Sequence, residues 1–447
     1  MEQISRGRIW LSFAFAVICV LVVQLPLVFN PGYLSHDEFQ WAYLAQRTGG
    51  GFFGNGLWQD VFSFQYRPLT FSLWMMLSKH LFDHPEAFHA VLVLMGACNA
   101  GLLAVLLRGC GLPLQTALAG ALVFALGPYA MHTHGWIGCI ADLIWVGCTL
   151  AIGIVSQRER LAWTATAASV LTAVALMAKE SAIVIPALLV LAWWFSARRK
   201  TWGVAAIASA VPVLIYLALR IKAILFAPAA AGSIYHWSFL SIPVRWTEYQ
   251  LFPLMRDRLG AGDFLGQGLH GRHIWFAVVG WLFLAVALHR TGWRWLLAFV
   301  VGGAAALGPV LILAEAANQY GYGFAAVTAG VCALAWPHMK RAPRIVVAIV
   351  GVLCIWHGVV VMRSIHDIGE KQSRFSPAMA AAVASTQQYP VRLRPQVEKD
   401  RWIYTRLTFD IPEYRGVPIG QRILLADPGA LSDYMILSDG SLQPVAH

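Results

Sequence analysis

Two stretches of the chain, "IWLSFAFAVICVLVVQLPLVF" (9–29) and "RIVVAIVGVLCIWHGVVVM" (344–362), run almost without charge for the length of a membrane span. A helix needs about 20 apolar residues to cross a hydrocarbon core. A chain built on such runs has few folds open to it, because backbone polar groups in lipid must be satisfied within helices or closed barrels. The chain is 58% hydrophobic and 12% charged, against roughly a quarter charged in soluble domains. These features predict an all-α polytopic membrane protein. The first apolar run exceeds the roughly 7–15 residues of a signal-peptide core and has no small-x-small cleavage site, so it reads as a retained helix.

Eleven spans are expected, centred on 9–29, 86–107, 112–131, 136–155, 161–178, 181–197, 202–219, 273–289, 294–313, 321–337 and 344–362. With a cytoplasmic N-terminus, alternate turns receive Arg6 and Arg8, then Arg108, then Arg158 and Arg160. The later ones receive Arg198, Arg199 and Lys200, then Arg290 and Arg294, then Lys340, Arg341 and Arg344. The positive-inside rule selects that orientation. It leaves Glu2 and Glu159 inside and sends Asp37, Glu38, Asp60, Asp83, Glu86, Glu180, Glu248, Asp257, Asp263 and Glu315 to the outer face, with Asp142 in the outer half of a helix. The expected division is a transmembrane domain over 1–362 and a small extramembrane domain over 363–447. The long connections 30–85 and 220–272 are outer loops.

The net charge of +11 does not imply nucleic acid, because the basic residues sit in short turns between apolar runs. The seven cysteines all fall in apolar segments and read as small buried hydrophobes. In 30–85, "DEFQWAYLAQ" and "RPLTFSLWMMLSKHLF" read as helices, the second lying in the interface with Trp74 and Lys79 at headgroup depth. The tail alternates "RWIYTRL", "RILLA" and "YMILS" with Pro and Gly turns, which predicts a small α+β or mostly β domain. No internal repeat and no interrupted pair of hydrophobic segments is evident.

Ionisable groups near bilayer depth are costly and therefore functional candidates. In "LSHDEFQWAYLAQ" (34–46), Asp37 and Glu38 point about 100° apart on a helix, so one can face a cavity while the other caps or orients. Simple capping at the positive helix end is the alternative. "ALGPYAMHTHGWIGCIAD" (125–142) brings His132, His134 and Asp142 to the outer ends of two helices. Interfacial histidines bonded to backbone are one reading. A divalent metal held by His134 with Asp37 or Glu38 is the other. "LMAKESAIVIPALL" (176–189) puts Lys179 and Glu180 at an outer turn, either reaching an anion or snorkelling. Arg67, Arg220, Lys222, Arg245, Arg256 and Arg258 add outer cations. "EAANQYGYGFAAV" (315–327) places Asn318, Tyr320 and Tyr322 where a span begins, a position also usual for belt aromatics. An acid facing several cations suits a base opposite an anionic leaving group.

The order of these motifs resembles a family. An acidic pair after the first span is followed by "YRPLTFSLWMMLSKHLF", "HPEAFHAVLVLMGACNAGLLAVLLR", "FALGPYAMHTHGWIGCIADLIWVGCTL" and "LMAKESAIVIPALLVL". The set is similar to the C-type glycosyltransferases, and within them to the protein O-mannosyltransferase-like group, over roughly residues 10–220 and more faintly 300–340. The resemblance implies a polyprenyl-phosphate-linked sugar donor, inversion at the anomeric carbon, and a lipid, glycan or protein acceptor reached at the periplasmic face of a bacterial inner membrane. It assigns Asp37 as general base with Glu38 as neighbour. Lys179, Arg67 and Arg220 would meet the donor phosphate, Glu180 would orient Lys179 or meet a sugar hydroxyl, and His132, His134, Asp142, Asn318 and Tyr320 would meet sugar or acceptor. Two departures stand out: Gln319 occupies the place where relatives often carry Arg, so another cation must serve, and no tetratricopeptide repeats follow. The competing readings are a transporter for a lipid-linked sugar and a non-catalytic partner in surface-polysaccharide assembly.

Overall fold

The computed structural model describes residues 6–445 except 49–51, 54–55, 60, 62, 64, 159, 197–198, 227–237, 257, 263 and 266–271. Glu2, Asp60, Glu159, Arg198, Asp257 and Asp263 thus lie outside the described residues. The helices are α1 (Arg6–Val23), α2 (Leu25–Val28), α3 (His36–Arg47), α4 (Pro68–Leu81), α5 (Pro85–Gly109), α6 (Leu114–Leu126), α7 (Pro128–Gly135), α8 (Ile140–Ser156) and α9 (Leu161–Ala178). They continue with α10 (Ile185–Phe195), α11 (Arg199–Phe226), α12 (Ile242–Leu251), α13 (Arg272–Thr291), α14 (Trp293–Leu307), α15 (Tyr322–Ala335), α16 (Arg341–Ser385) and α17 (Arg401–Thr408).

Among the described residues seven helices are long and apolar enough to cross a membrane, or eight if the bent pair α6–α7 is one span. That is the helix set of an integral membrane protein, with fewer qualifying spans than the eleven expected. The shortfall has local causes. The first run breaks at Gln24, where Pro26 follows at the second position of α2. The run near 181–197 begins as a 3-10 turn (Glu180–Val184) before an α10 of 11 residues. The α15 helix has only 14 residues.

The α6–α7 pair bends by 58°, an interruption the sequence reading did not anticipate. Pro128 disfavours helical backbone at the residue before it, and Gly127 there is extended, with φ −74° and ψ 165°. Helix α16 crosses at this break, and a Cβ on Gly358 would lie 1.9 Å from the Leu126 carbonyl oxygen. Only glycine permits that approach.

Helix α16 runs 45 residues without interruption, about 68 Å at 1.5 Å per residue and roughly twice a hydrocarbon core. It passes straight through the expected 362/363 boundary and becomes the support of the C-terminal unit. That unit holds β1 (Val391–Pro395), α17, the hairpin β2 (Glu413–Tyr414) and β3 (Val417–Pro418), and then β4 (Ile423–Leu425), β5 (Tyr434–Ile436) and β6 (Leu442–Pro444). The main sheet has order β4-β1-β5-β6. Val391 pairs with Ile423 and Leu393 with Tyr434 in parallel register, while Tyr434 pairs with Pro444 antiparallel. Of the two expected alternatives, this is the α+β one. Leu393, Ile403, Tyr404 and Leu407 are buried in one core with Phe375 and Met379 of α16, and the Phe375 and Tyr404 rings stand 4.9 Å apart.

The segment between α1 and α3 is threaded across the bundle and pinned by polar contacts. Gln24 Nε2 donates to Ala125 O (2.9 Å) and the Tyr33 amide to Gln372 Oε1 (2.7 Å). His89 Nε2 donates to Gly32 O (2.8 Å), and His366 Nδ1 to Pro26 O (2.9 Å). These bonds fix where α3 starts. Helix α4 packs beneath it. Trp74 is buried and its ring lies 5.1 Å from that of Trp41, so it seals α3 against α4, while Lys79 is exposed.

Candidate functional site

The start of α3 is specified by its own residues. Ser35 is extended (φ −153°, ψ 172°), and its hydroxyl oxygen accepts the Asp37 amide at 3.1 Å. The Ser35 amide donates to Glu38 Oε2 at 3.1 Å, closing a capping box. Two adjacent acids therefore take separate positions. Glu38 is 1% exposed and caps the helix, whereas the Asp37 side chain keeps 30% of its surface open. Asp37 accepts the Ser35 hydroxyl at 2.9 Å, and His36 Nε2 lies 3.6 Å away. Burial, reinforced by the Asp37 charge, pushes the Glu38 carboxyl up to about 8, against the opposing pull of its hydrogen bonds and of Arg406.

The C-terminal unit is docked on this helix. His36 Nδ1 donates to Arg406 O (3.2 Å) and Gln40 Nε2 to Asp410 O (2.9 Å). Phe39 packs on Tyr414, and Arg415 reaches Asp83 at 3.3 Å. The Arg406 guanidinium then lies 4.5 Å above the ring of Trp136, at the corner between α7 and α8.

A second charged group surrounds the end of α9. Lys179 adopts extended backbone there (φ −159°, ψ 140°) and turns its side chain inward. Its Nζ lies 2.6 and 2.5 Å from the two carboxylate oxygens of Asp142. Trp145 Nε1 donates to Asp142 at 3.2 Å, and the Tyr320 ring sits 4.7 Å from the ammonium. Arg67 bonds Glu180 at 2.7 Å. Glu180 therefore holds Arg67, not Lys179 as expected. Arg220 is buried, donates to the carbonyls of Val61 and Ser63, and lies over Tyr66 and Tyr216. The three expected phosphate ligands thus share one region, each already matched to an acid or to carbonyls. Farther along, the buried Glu248 pairs with Arg245 and accepts the Leu265 amide.

The two groups meet at one corner. Cys139, buried between α7 and α8, is within electrostatic reach of Glu38, Asp142, Lys179 and Arg406. His132 belongs there too, with its ring 5.7 Å from Trp136 and edge-on to it. His134 does not. Its Nδ1 donates to Gln24 (2.9 Å) and its Nε2 accepts from the Tyr322 hydroxyl (3.1 Å), which in turn accepts from Asn99. With both ring nitrogens bonded inside the bundle, His134 makes no ligand pair with Asp37. Among the described residues no group of three or more His, Cys, Asp or Glu is placed to hold a metal ion. Asn318 is also committed elsewhere, since Oδ1 accepts the Ala261 amide (2.6 Å) and Nδ2 donates to Leu259 O (2.7 Å), stapling one connection to another.

Arg406 and Trp136 were missed by the sequence reading. Arg406 lies in the "RWIYTRL" run of the tail, and nothing local says that the helix formed there, α17, folds back onto α3. Trp136 had only its place beside the histidines to mark it. A cavity of about 500 Å³ lies between α6, α13, α15 and α16. Its lining is mostly apolar, with Gln115, Thr116, Gln250 and Thr328 among it, and reaches Tyr129 of α7.

No protein-family model matches the chain, and neither a curated protein nor a solved structure matches it.

Proposed function

We propose that the chain is a membrane glycosyltransferase that moves a sugar from a polyprenyl-phosphate donor to an acceptor hydroxyl with inversion. The observation that carries this reading is the split of the acidic pair. Glu38 is engaged in the capping box through Oε2, while Asp37 keeps an open carboxylate next to Glu38, which the Arg406 charge reaches. In the step proposed, the acceptor hydroxyl gives its proton to Asp37 as its oxygen bonds C1 of the sugar. The C1–O bond to phosphate breaks, and the electron pair leaves on the lipid phosphate. A phosphate is already a competent leaving group and needs charge stabilisation more than a proton. The mostly apolar cavity reaching Tyr129 suits the isoprenoid chain. Basic turns at the opposite ends of the spans favour an outer, periplasmic placement in a bacterial inner membrane. Labelled polyprenyl-phosphate sugar incubated with purified protein and acceptor extract tests the reading. Release of free lipid phosphate is expected, and its absence with every acceptor fraction overturns the assignment.

The bend at Gly127 favours a second reading, transport of a lipid-linked sugar, because broken helices mark transporter sites. In proteoliposomes a transporter moves the labelled lipid between leaflets and leaves its sugar attached. A transferase consumes it.

A further inference from the structure

We infer that the seam between α3, the α7–α8 corner and α17 is an oxyanion-binding site completed by the C-terminal unit, with Arg406 as its cation. Four polar atoms at this seam are buried without a hydrogen-bond partner: Glu38 Oε1, His132 Nδ1, Trp136 Nε1 and Arg406 Nε. Glu38 is 1% exposed and His132 8%. Native proteins satisfy nearly all such groups, so several orphans in one place call for a missing partner. The residues are mutually placed. Arg406 stacks at 4.5 Å on the Trp136 indole, and the His132 ring is edge-on to the same indole at 5.7 Å. The Arg406 charge reaches both Glu38 and His132. The backbone of α17 is fastened to α3 through His36 and Gln40, so Arg406 is held at the seam by its helix.

The chemistry selects the ligand class. Arg406 has no acid within ion-pairing distance among the described residues, unlike Lys179 with Asp142 and Arg67 with Glu180. Arg406 Nε and Trp136 Nε1 can only donate, so the missing partner must supply acceptor oxygens and negative charge. Glu38 does not oppose this, because burial keeps its carboxyl protonated up to about 8 and a protonated carboxyl is a further donor. The ligand is thus an oxyanion of the phosphate class, either the headgroup of a lipid phosphate or free phosphate. This deepens the glycosyl-transfer reading and rests on it only for the source of the phosphate.

The full chain in detergent is titrated with farnesyl monophosphate, with farnesol and with inorganic phosphate, and binding is read from tryptophan fluorescence and from the melting shift. Arg406→Ala is expected to weaken farnesyl phosphate binding about 10–100-fold, the range carried by one charge-assisted hydrogen bond. Arg406→Lys should weaken it less. Trp136→Phe keeps the aromatic face for Arg406, removes the Nε1 donor, and should cost about tenfold. None of these variants should change farnesol binding. Competition by inorganic phosphate supports the site and names free phosphate as its source, and binding of the lipid phosphate alone supports it and names the headgroup. Wild-type affinity for farnesyl phosphate in both Arg406→Ala and Trp136→Phe overturns the proposal, as does failure of the wild-type chain to bind either phosphate. If Arg406→Ala does not fold, Trp136→Phe decides. Phosphate binding without sugar transfer would keep this site and sink the transferase reading, so the two fail separately.

Discussion

Two charged neighbourhoods share the corner at Cys139 and are built in opposite ways. Around the end of α9 the charges are paired, Asp142 with Lys179 and Glu180 with Arg67, although Glu180 Oε1 is also buried without a hydrogen-bond partner. Around the start of α3 they are open: Asp37 keeps exposed surface, and Glu38, His132, Trp136 and Arg406 each bury an unpartnered polar atom. A buried ion pair costs about as much desolvation as it returns in attraction, but removing one partner leaves a charge that nothing compensates. The paired group therefore works as a hinge pin for chain turns, and the open group keeps capacity for something that is not part of the chain.

The sharpest way to break the contrast is Lys179→Met. It strands the Asp142 carboxylate, and a loss of about 3–5 kcal/mol is expected, read as a lowered melting temperature in detergent. Lys179→Met combined with Asp142→Leu should recover much of that loss, since a well-packed apolar pair can replace a buried ion pair. Next in size is Gly358→Val. Its Cβ would enter the Leu126 carbonyl, and about 1–3 kcal/mol is expected from overpacking. Because the shift would fall on the break above α7, it should disturb phosphate binding at the seam as well as melting.

Glu38→Gln tests the open group by pH. The native carboxyl keeps its proton to about 8, whereas an unfolded Glu loses it near 4.3. Between those values the native state binds more protons, so stability falls as pH rises, by at most about 1.4 kcal/mol per pH unit. Melting of the wild-type chain should fall from pH 5 to pH 8 relative to Glu38→Gln, and parallel curves would count against a buried protonated carboxyl. The smallest effect belongs to Arg415→Ala. The pair with Asp83 is exposed on both sides, and its loss should cost no more than about 0.5 kcal/mol.

Much of the frame was legible because it is written in local pattern. Apolar run length marked the helices, and the acidic pair Asp37–Glu38 ahead of "FQWAYLA" marked the start of α3. A small strand-bearing tail followed from turn residues between short apolar runs, with α+β and mostly β left open. What failed was set by distance in sequence. No local signal pairs residue 142 with 179 or 67 with 180, so Glu180 was given to its neighbour Lys179 when geometry gives it to Arg67. The burial of Trp74 was not foreseen because its partner, Trp41, comes from another helix. The count of qualifying helices falls short of the expected spans partly at Pro26 and Pro128, where prolines break helices that hydropathy reads as continuous. Arg406 was invisible for the strongest reason, that its site exists only once a helix from the far end of the chain lies on α3.

The central claim is that Asp37, left open by the capping role of Glu38, takes the acceptor proton. Its most direct test is turnover of labelled polyprenyl-phosphate sugar by wild type and Asp37→Asn, with melting measured on the same samples. Asparagine also serves at helix starts, so melting should be unchanged, while release of lipid phosphate should fall by about 10²–10⁴-fold, the usual contribution of a general base. Equal turnover in the two proteins would contradict the claim.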